Sequence, residues 1–399
     1  MNLINKMYCR SYQLVFKMAI PFLPYRSPKI LNDISKINEI CKQTNIKKLL
    51  VVTDEVILNS KTFIPMQEEL AKQKINYTIF DKVKPNPTIS LVEEAKDTYI
   101  KENCDGIVAI GGGSVIDLAK ACGARIVRPN RTIQDMKGLL HVRRKLPTLF
   151  VIPTTAGTGS ETTLAAVITD EKTHHKYPIN DFSLIPHYAI LDPKFIMYLP
   201  KDLTATTGMD ALTHAVEAFI GRSTTKKTRQ MAIEAVKIIA KNLEISYKEP
   251  FNLEARKEML YASHYAGIAF TISYVGYVHA IAHSLGGRYG IAHGYANAII
   301  LPIFLQYYGK AVYHKLAILA KAAGISSPQD DDTKASQLFI DWIYDLNKRM
   351  GIPRNITTIR DEDIPQMAQY AISEANPLYP VPKELDYEQL KSIYNVIRG

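Results

Sequence analysis

Two patterns of apolar and polar positions divide the chain. Up to about Leu199, short continuous apolar runs alternate with segments of helical period. The apolar runs predict buried parallel strands over residues 47–53, 77–80, 106–110 and 148–153. The helical periods predict helices over residues 64–74, 90–101 and 117–126. This rhythm is typical of an open parallel sheet with helices on both faces.

Beyond Leu199, strand-like runs become scarce and helical periods dominate. The predicted helices are 211–219, 227–241, 255–270, 278–285, 296–308, 311–323 and 333–349. The turn Pro200-Lys201-Asp202 marks the expected change of architecture. We therefore expect a Rossmann-like α/β nucleotide-binding domain over residues 1–203 and an all-helical metal-binding domain over residues 204–399, with the site in the cleft between them.

Composition narrows the functional classes. Of the 399 residues, 47% are hydrophobic and 22% charged, as in ordinary soluble domains. The net charge is +10, but Lys and Arg are dispersed, without a basic stripe that carries aromatic residues. We therefore expect no nucleic-acid partner. Cys9, Cys41, Cys104 and Cys122 form no C-x-x-C pair, which favours a reducing, cytoplasmic location.

Two uncharged runs, 259–287 and 289–309, are long enough to cross a bilayer. Both contain histidines and other polar side chains that are costly in hydrocarbon, so we expect buried helices and no membrane partner. The apolar stretch 12–25 is interrupted by Lys17 and by prolines. It is unlike a secretory signal, and we predict an N-terminal arm packed on the body.

Two glycine-rich segments follow predicted strands. Gly111-Gly112-Gly113-Ser114 precedes a helix, whose first N–H groups can bind a pyrophosphate, although a plain tight turn is the alternative. Residues 153–161 (PTTAGTGSE) follow another strand end at the same predicted edge of the sheet. Asp54 ends a third strand, where it either accepts hydrogen bonds from an adenosine ribose or caps a turn.

Histidines and a carboxylate recur at helical spacing. Asp210 and His214 are four residues apart, as are His279 and His283, and His293 follows. Residues at this spacing share a helix face. Buried imidazoles need partners, and a cation can serve several at once, Zn²⁺ and Fe²⁺ being suited to three histidines and a carboxylate. Spacing alone leaves open capping or surface pairs, and which of the last three histidines bind.

Six motifs in order resemble the iron-containing (group III) alcohol dehydrogenase family, from about residue 45 to the C-terminus. They are VVTD at 51–54, KPNPT at 84–88, GGGSVID at 111–117, PTTAGTGSE at 153–161, TGMDALTHAVEA at 207–218 and HAIAHSLGGRYGIAHGYANAIILP at 279–302. The resemblance implies a reversible NAD(H)-linked dehydrogenase of primary alcohols, active as a homodimer or a higher homo-oligomer. Its divalent metal polarises the substrate oxygen.

The resemblance also assigns residues. The implied metal ligands, for Fe²⁺ or alternatively Zn²⁺, are Asp210, His214, His279 and His293. His283 is implied as a proton relay or nicotinamide contact. The implied cofactor-binding residues, for NAD in preference to NADP, are Asp54, Asn86, Gly112, Gly113, Ser114, Thr154, Thr155, Thr158, Lys176 and Leu203.

The chain departs from the family pattern around the expected substrate pocket. Ile272 and Tyr274 stand where members often have Asn and Gly, and Tyr277 adds another ring. Ser284 replaces a frequent proline, and Ala165 replaces a polar cofactor contact of some relatives. These changes leave the size and polarity of the substrate open, and packing between helices is the alternative role for Tyr274 and Tyr277.

Other functions are less well supported. Glycerol dehydrogenases and dehydroquinate synthases resemble this fold more distantly, and the latter are expected to bind an acidic substrate with several basic residues. Only Arg288 is basic within residues 259–293. Maleylacetate reductases resemble the family without the full ligand set. A metal-binding or membrane-associated helical protein would leave both glycine-rich loops unexplained.

Overall fold

The continuous apolar runs form the centre of a parallel sheet. The computed structural model describes residues 3–73, 75–172 and 175–399. The strands are β1 (Lys29–Leu31), β2 (Lys48–Val52), β3 (Asn76–Phe80), β4 (Gly106–Gly111), β5 (Gly138–Leu139), β6 (Thr148–Pro153), β7 (Ala165–Asp170), β8 (His175–Asn180) and β9 (Tyr188–Ile190). A six-stranded sheet has the order β1-β9-β6-β4-β2-β3, with every pair parallel. Every residue of β4 is buried, which explains its uninterrupted apolar run.

The helices follow in two groups. The helices that precede the last strand along the chain are α1 (Leu3–Ala19), α2 (Lys36–Thr44), α3 (Glu55–Leu58), α4 (Ile64–Gln73), α5 (Ile89–Lys101) and α6 (Gly113–Val127). Those after it are α7 (Lys201–Ile220), α8 (Lys226–Lys248), α9 (Leu253–Ser273), α10 (Tyr277–Tyr289), α11 (His293–Tyr308), α12 (Tyr313–Ala322), α13 (Asp332–Arg349), α14 (Ile364–Ala375) and α15 (Tyr387–Arg398). The expected architecture, a parallel-sheet region followed by helices, is confirmed.

The chain forms two compact units. The sheet unit contains Pro24–Leu199 and Pro250–His264. The helical unit contains the described residues up to Leu23 together with Pro200–Glu249 and Tyr265–Gly399. The division into domains at residue 203 remains a prediction, and the compact units differ from it in the placement of the N-terminal helix, of residues 200–203 and of residues 250–264.

The predicted N-terminal arm is a helix, α1, that packs within the helical unit. Arg10 donates hydrogen bonds to the carbonyls of Val381 at 2.8 Å and Pro382 at 3.1 Å. Gln13 donates to the carbonyl of Tyr379 at 2.9 Å, and Phe16 packs edge-on against Tyr274 with ring centroids 5.1 Å apart. These contacts fix which face of α1 points inward.

A second, three-stranded sheet in the sheet unit was not predicted. Its order is β5-β8-β7, with β7 and β8 antiparallel. The strand β7 alternates partly exposed and buried residues, so its apolar pattern is weaker than that of the central strands.

The two long uncharged runs lie in α9, α10 and α11. Among the described residues, no single helix is long and apolar enough to cross a membrane, and only the bent pair α9 and α10 meets that test jointly, by length and composition.

Candidate metal and cofactor sites

Four side chains of the helical unit bring their ligand atoms together. One oxygen of Asp210 and one ring nitrogen each of His214, His279 and His293 all lie within 4.8 Å of one another. The His293 Nε2 atom is 3.5 Å from Asp210 Oδ1, and His279 Nε2 is 4.0 Å from the same oxygen. Ligands that surround one ion tetrahedrally at ordinary bond lengths are ~3.4 Å apart. A small inward shift would therefore complete a coordination sphere.

Three helices position these ligands. Asp210 and His214 share a face of α7, His279 lies in the first turn of α10, and His293 begins α11. A Cβ atom on Gly294 would lie 2.4 Å from the carbonyl oxygen of Thr206. Only glycine permits this approach, which brings the start of α11 against α7 and places His293 beside Asp210.

A buried glutamate orients one of the ligands. The Nδ1 atom of His279 is 2.6 Å from Glu217 Oε2. The same carboxylate accepts the backbone N–H of Gly276 at 2.8 Å and that of Val278 at 2.9 Å. Because the carboxylate accepts hydrogen bonds, the proton of His279 lies on Nδ1. The lone pair of Nε2 therefore faces the point on which the four ligand atoms converge.

Electrostatics keep His279 in the form that binds a cation. Burial, followed by the neighbouring rings of His214, His293 and His283, holds the pKa of His279 well below its usual value. Its Nε2 atom is buried and has no hydrogen-bond partner among the described residues. Burying such an acceptor is costly, and a cation would satisfy it. The donor set therefore fits a divalent metal ion.

Burial also raises the pKa of Glu217, to about 7. The N–H groups of Gly276, Val278 and His279 act in the opposite direction because they stabilise the charged carboxylate. A Cβ atom on Gly276 would lie 2.6 Å from Glu217 Oε1, so glycine is needed where the carboxylate meets the start of α10.

Asn297 lies directly behind two of the ligands. Its Nδ2 atom donates to Asp210 Oδ1 at 2.7 Å and lies 3.1 Å from His293 Nε2. Asn297 is fully buried on α11, one turn after His293. The amide therefore fixes the Asp210 side chain relative to α11.

His283 lies beside the four-residue cluster and has a carboxylate partner of its own. Its ring stacks on that of His293, with centroids 5.0 Å apart and an interplanar angle of 18°. Its Nδ1 atom is 2.7 Å from Glu374 Oε1, which also accepts the hydroxyl of Tyr379 at 2.6 Å. Although burial raises the pKa of Glu374, the hydrogen bonds and charge of its neighbours outweigh burial and leave that pKa below its usual value.

Aromatic rings cover other parts of the site. Phe270 stacks on His214 with centroids 4.1 Å apart, which excludes water from that ligand.

Tyr277 points into the core, where its hydroxyl contacts Asn376 Oδ1 at 3.0 Å and accepts the N–H of Leu385 at 3.1 Å. Tyr277 therefore has the packing role that the sequence left as its alternative.

In the sheet unit, the two glycine-rich loops lie against each other. A Cβ atom on Gly113 would lie 3.1 Å from Thr158 Cγ2, and one on Gly112 would lie 3.5 Å from Thr155 Cγ2. Gly113 begins α6, and Gly112 caps it without a side-chain hydrogen bond. The first N–H groups of α6 thus meet a threonine-lined surface, which suits a pyrophosphate.

A buried lysine that the sequence analysis overlooked holds this second loop. Lys120 on α6 donates to the carbonyl oxygens of Ser160 at 2.6 Å, Thr163 at 3.0 Å and Ala165 at 2.9 Å. Burial lowers the pKa of Lys120 to about 8, while nearby Asp117 opposes that shift. The loop that carries Thr154, Thr155 and Thr158 is thereby tied to α6.

The expected adenosine-side residues have local partners. Asp54 caps α3, and its Oδ1 accepts the N–H of Ile57 at 2.8 Å. Lys176 donates to Asn86 Oδ1 at 2.9 Å, and Asn86 has a left-handed backbone with φ of 59°. Leu203, on the first turn of α7 in the helical unit, is 45% exposed.

Comparison with known proteins decides the family. The model of the iron-containing alcohol dehydrogenase family matches residues 31–193, and the model of that family's C-terminal part matches residues 204–397. The chain belongs to the iron-containing alcohol dehydrogenase family. It is thus an oxidoreductase that interconverts alcohols and aldehydes with a nicotinamide cofactor, and the resemblance in its motifs is confirmed.

Similar proteins match this iron-containing alcohol dehydrogenase over nearly their whole length. The 1,3-propanediol dehydrogenase of Citrobacter freundii is 35% identical over 388 residues, which cover 96% of this chain and 99% of that one. The NAD-dependent methanol dehydrogenase of Bacillus methanolicus is 34% identical over 88% of this chain and 93% of its own. The solved alcohol dehydrogenase from Oenococcus oeni superposes with a TM-score of 0.89 at 34% identity, covering 94% and 100% of the two chains.

Four supporting residues escaped the sequence analysis: Glu217, Asn297, Glu374 and Lys120. Glu217 had a local signal, because it is an acidic residue in the apolar run AVEAFI, seven positions after Asp210. Glu374 had none, since it is 91 residues from His283 along the chain.

Proposed function

We propose that this iron-containing alcohol dehydrogenase oxidises small primary alcohols reversibly with NAD at a metal centre formed by Asp210, His214, His279 and His293. The observation that carries the proposal is the convergence of four ligand atoms within 4.8 Å. A carboxylate and three neutral imidazoles suit Fe²⁺ or Zn²⁺, and the family description favours Fe²⁺.

When bound, the divalent cation supplies Lewis-acid chemistry that lowers the pKa of an alcohol hydroxyl, and the nicotinamide supplies a hydride acceptor. The protein must hold the ligands, exclude water and remove one proton. Glu217 and Asn297 hold His279 and Asp210, while Phe270 shields His214. Burial of three of the four ligands keeps the local dielectric low, which strengthens each of these interactions.

His283 takes the hydroxyl proton in this proposal. Its ring stacks on that of the ligand His293, and its Nδ1 contacts Glu374 Oε1. The carboxylate therefore orients the ring, as is usual for a histidine that acts as a general base. Glu374 stabilises the imidazolium that forms, and the half-exposed His283 ring can pass the proton to water. In the reverse direction the same ring returns the proton to the product oxygen.

We assign the cofactor to the two loops of the sheet unit. Gly112, Gly113 and Ser114 bind the pyrophosphate at the start of α6, opposite Thr154, Thr155 and Thr158. Asn86 and Lys176 act as a hydrogen-bonded pair, and Leu203 lines the cofactor. Asp54 at the end of β2 accepts the ribose hydroxyls, and its charge disfavours the 2′-phosphate of NADP.

Relatives support a small substrate, since one is named for 1,3-propanediol and another for methanol. We therefore propose short primary alcohols and their aldehydes as the substrate class. A homodimer or higher homo-oligomer in the cytoplasm is part of the same proposal and rests on the family resemblance.

The proposal is tested by stripping the protein with a chelator and restoring Fe²⁺ or Zn²⁺ while aldehyde reduction is assayed. NADH and NADPH are each supplied with a series of short aldehydes. We expect stripped protein to be inactive, and activity to return with one ion per chain and with NADH preferred. Full activity in the stripped protein, or no activity with any ion, would refute the proposal.

A further inference from the structure

A series of contacts within the helical unit joins α1 to the histidine that we assign as the base. Tyr379 donates its hydroxyl to Glu374 Oε1 at 2.6 Å, and the same oxygen lies 2.7 Å from His283 Nδ1. Two hydrogen bonds therefore meet on one carboxylate oxygen. The side chain of Glu374 is 34% exposed, so burial alone does not fix its rotamer. The Tyr379 hydroxyl limits the positions that this oxygen can take.

The Tyr379 hydroxyl is a lasting donor. Tyr379 is buried, and burial, followed by the charge of Glu374, holds the pKa of Tyr379 well above its usual value. The hydroxyl therefore keeps its proton throughout the neutral range. A hydrogen bond from such a donor to a carboxylate is stronger than one between neutral groups.

The N-terminal helix holds the backbone of Tyr379. The Nε2 atom of Gln13 donates to the carbonyl oxygen of Tyr379 at 2.9 Å and to that of Pro377 at 3.4 Å. The Arg10 guanidinium donates to Gln13 Oε1 at 2.9 Å, which turns the amide nitrogen toward these two carbonyls. The buried Gln13 side chain thus ties this segment to α1.

An aromatic ring of α1 supports the ring of Tyr379 through one intermediate. Phe16 packs edge-on against Tyr274 with ring centroids 5.1 Å apart, and Tyr274 lies against Tyr379 with centroids 6.3 Å apart. Both separations lie within the range over which aromatic pairs attract each other. Tyr274 therefore lies between α1 and the ring that carries the donor hydroxyl.

The backbone of Tyr274 indicates that this packing is required. Tyr274 directly follows α9 and has φ of 62°, in the left-handed region that glycine adopts easily and that bulky residues avoid. Its N–H donates to the carbonyl of Phe270 at 2.7 Å, so it closes the end of the helix. Such a conformation persists where the surrounding structure requires it, and it is concentrated at functional sites. The packing of the ring between Phe16 and Tyr379 supplies the constraint here.

We propose that α1 positions the base of the proton-transfer step, with Gln13, Phe16, Tyr274 and Tyr379 as positioning residues that hold Glu374 against His283. The inference rests on the proposed function, in which His283 takes the hydroxyl proton. A base is effective only when its nitrogen lies within hydrogen-bond reach of that proton. A loosened α1 should therefore slow turnover and leave cofactor affinity unchanged, since the cofactor is assigned to the sheet unit.

A merely structural role for α1 makes a different prediction. In that case any buried residue of the helix is equivalent, and its loss lowers the free energy of unfolding without slowing the folded enzyme. Cys9 is the matched control, because it is buried on the same helix and lies one turn before Gln13.

The first measurement is aldehyde reduction by the full chain loaded with metal. Tyr379→Phe removes one hydroxyl and keeps the ring, and it should lower kcat about tenfold. The KM for NADH should stay within about twofold, because no uniform binding interaction is lost. Phe16→Ala should lower kcat ~threefold, whereas Cys9→Ala should have the kcat of the unchanged protein. Phe16→Leu is the milder second variant if Phe16→Ala does not fold, and its effect should have the same direction.

A double variant tests whether α1 acts through the Tyr379 hydroxyl. Phe16→Ala combined with Tyr379→Phe should lower kcat no further than Tyr379→Phe alone, because the hydroxyl that α1 positions is already absent. Independent losses that multiply would show that Phe16 acts by another route and would overturn the inference.

Hydrogen exchange in the metal-free protein tests the same contacts without turnover. The N–H of Tyr379 is bonded to the carbonyl of Ala375 at 2.7 Å, and that of Val381 to the carbonyl of Tyr379 at 2.8 Å. Phe16→Ala and Gln13→Leu should each raise exchange over residues 376–382 ~threefold or more, because local opening of this segment becomes easier. Cys9→Ala should leave exchange there unchanged.

Two further outcomes would overturn the inference: unchanged kcat in Tyr379→Phe, or equal losses of kcat in Phe16→Ala and Cys9→Ala. His283→Ala separates these failures from failure of the proposed function. If His283→Ala loses turnover while Tyr379→Phe retains it, His283 remains the base and the positioning role of α1 fails. If His283→Ala retains full turnover, the proton step of the proposed function fails, and the inference fails with it.

Discussion

The Glu217 carboxylate lies 2.6 Å from His279 Nδ1 and also accepts two N–H groups at the start of α10. One side chain of α7 thus sets both the position of α10 and the tautomer of the ligand that α10 carries. The metal site depends on this link, because Asp210 and His214 lie on α7 and His279 on α10. Glu217 acts through His279 and is a positioning residue.

Replacing Glu217 by Gln (Glu217→Gln) should weaken metal binding ~10–100-fold, as loss of a ligand's hydrogen-bond partner does elsewhere. A glutamine presents one acceptor oxygen where three N–H groups now converge. The measurement is chelator competition, followed by metal analysis of the dialysed protein.

Glu374→Gln is the matched control, because Glu374 contacts the neighbouring His283. It should retain metal affinity within a factor of about two, since no ligand loses its partner. Equal weakening in both variants would contradict the specific role of Glu217.

His283→Ala should retain the metal and lose turnover. A positioned general base contributes about 10²–10⁴-fold to rate. His283 lies beside the four ligands and is not one of them in our assignment. Glu374→Gln should lower the rate less and shift the pH profile of turnover, because the carboxylate stabilises the protonated ring. Loss of the metal in His283→Ala would instead make His283 a ligand.

Asp54→Asn should weaken the preference for NAD over NADP without unfolding α3. Asparagine caps helices about as well as aspartate, so the bond to the Ile57 N–H is retained while the charge near the ribose is removed. A change to glycine or alanine would confuse cofactor choice with loss of the cap. The ratio of kcat/KM for the two cofactors is the measurement, and an unchanged ratio would remove Asp54 from the adenosine site.

The sequence predicted those elements whose pattern depends on burial alone. The strand Thr148–Pro153 was predicted with its observed bounds, since both faces of the sheet are covered and the run is uninterrupted. The helix α6 begins at Gly113, four residues before its predicted start at Asp117, because glycines hide a helix start in an apolar pattern. The neighbouring strands β1 and β9 have three residues each, too few to form a pattern.

The candidate site was predictable to the extent that its residues are close in sequence. His279, His283 and His293 follow one another on adjacent helices, and their pairing with Asp210 and His214 came from the family motifs. The link between His283 and Glu374 depends on how α14 packs, which no local pattern encodes. Tyr277 shows the converse, because its proximity to the ligands in sequence indicated a pocket wall, whereas its ring lies in the core.

Acid should destabilise the sheet unit through His187. Burial, with Arg26 and Lys145 nearby, lowers the pKa of His187 from 6.5 to about 4, and Nδ1 accepts the N–H of Leu149 at 3.1 Å. Above pH 6.5 the ring is neutral in both states and contributes nothing. Between 6.5 and about 4 the unfolded chain binds a proton that the folded one does not, so stability falls as the pH falls.

The free energy of unfolding should drop by ~2 kcal/mol across that window because of His187, after allowance for its partial exposure. His187→Gln keeps an acceptor for the Leu149 N–H and should remove this part of the pH dependence. His141→Gln, at an exposed histidine, is the control. Parallel stability curves for His187→Gln and the unchanged protein would exclude His187 as the acid-sensitive group.

The account depends most directly on the number of divalent ions that the four-residue cluster holds. Equilibrium dialysis against Fe²⁺ or Zn²⁺, with metal analysis of the retained protein, measures it for the unchanged chain, Asp210→Ala and His293→Ala. We predict one tightly held ion per chain in the unchanged protein and none in either variant, with all three proteins folded by circular dichroism. An unchanged protein without a bound ion, or a variant that retains one as tightly, would contradict the account.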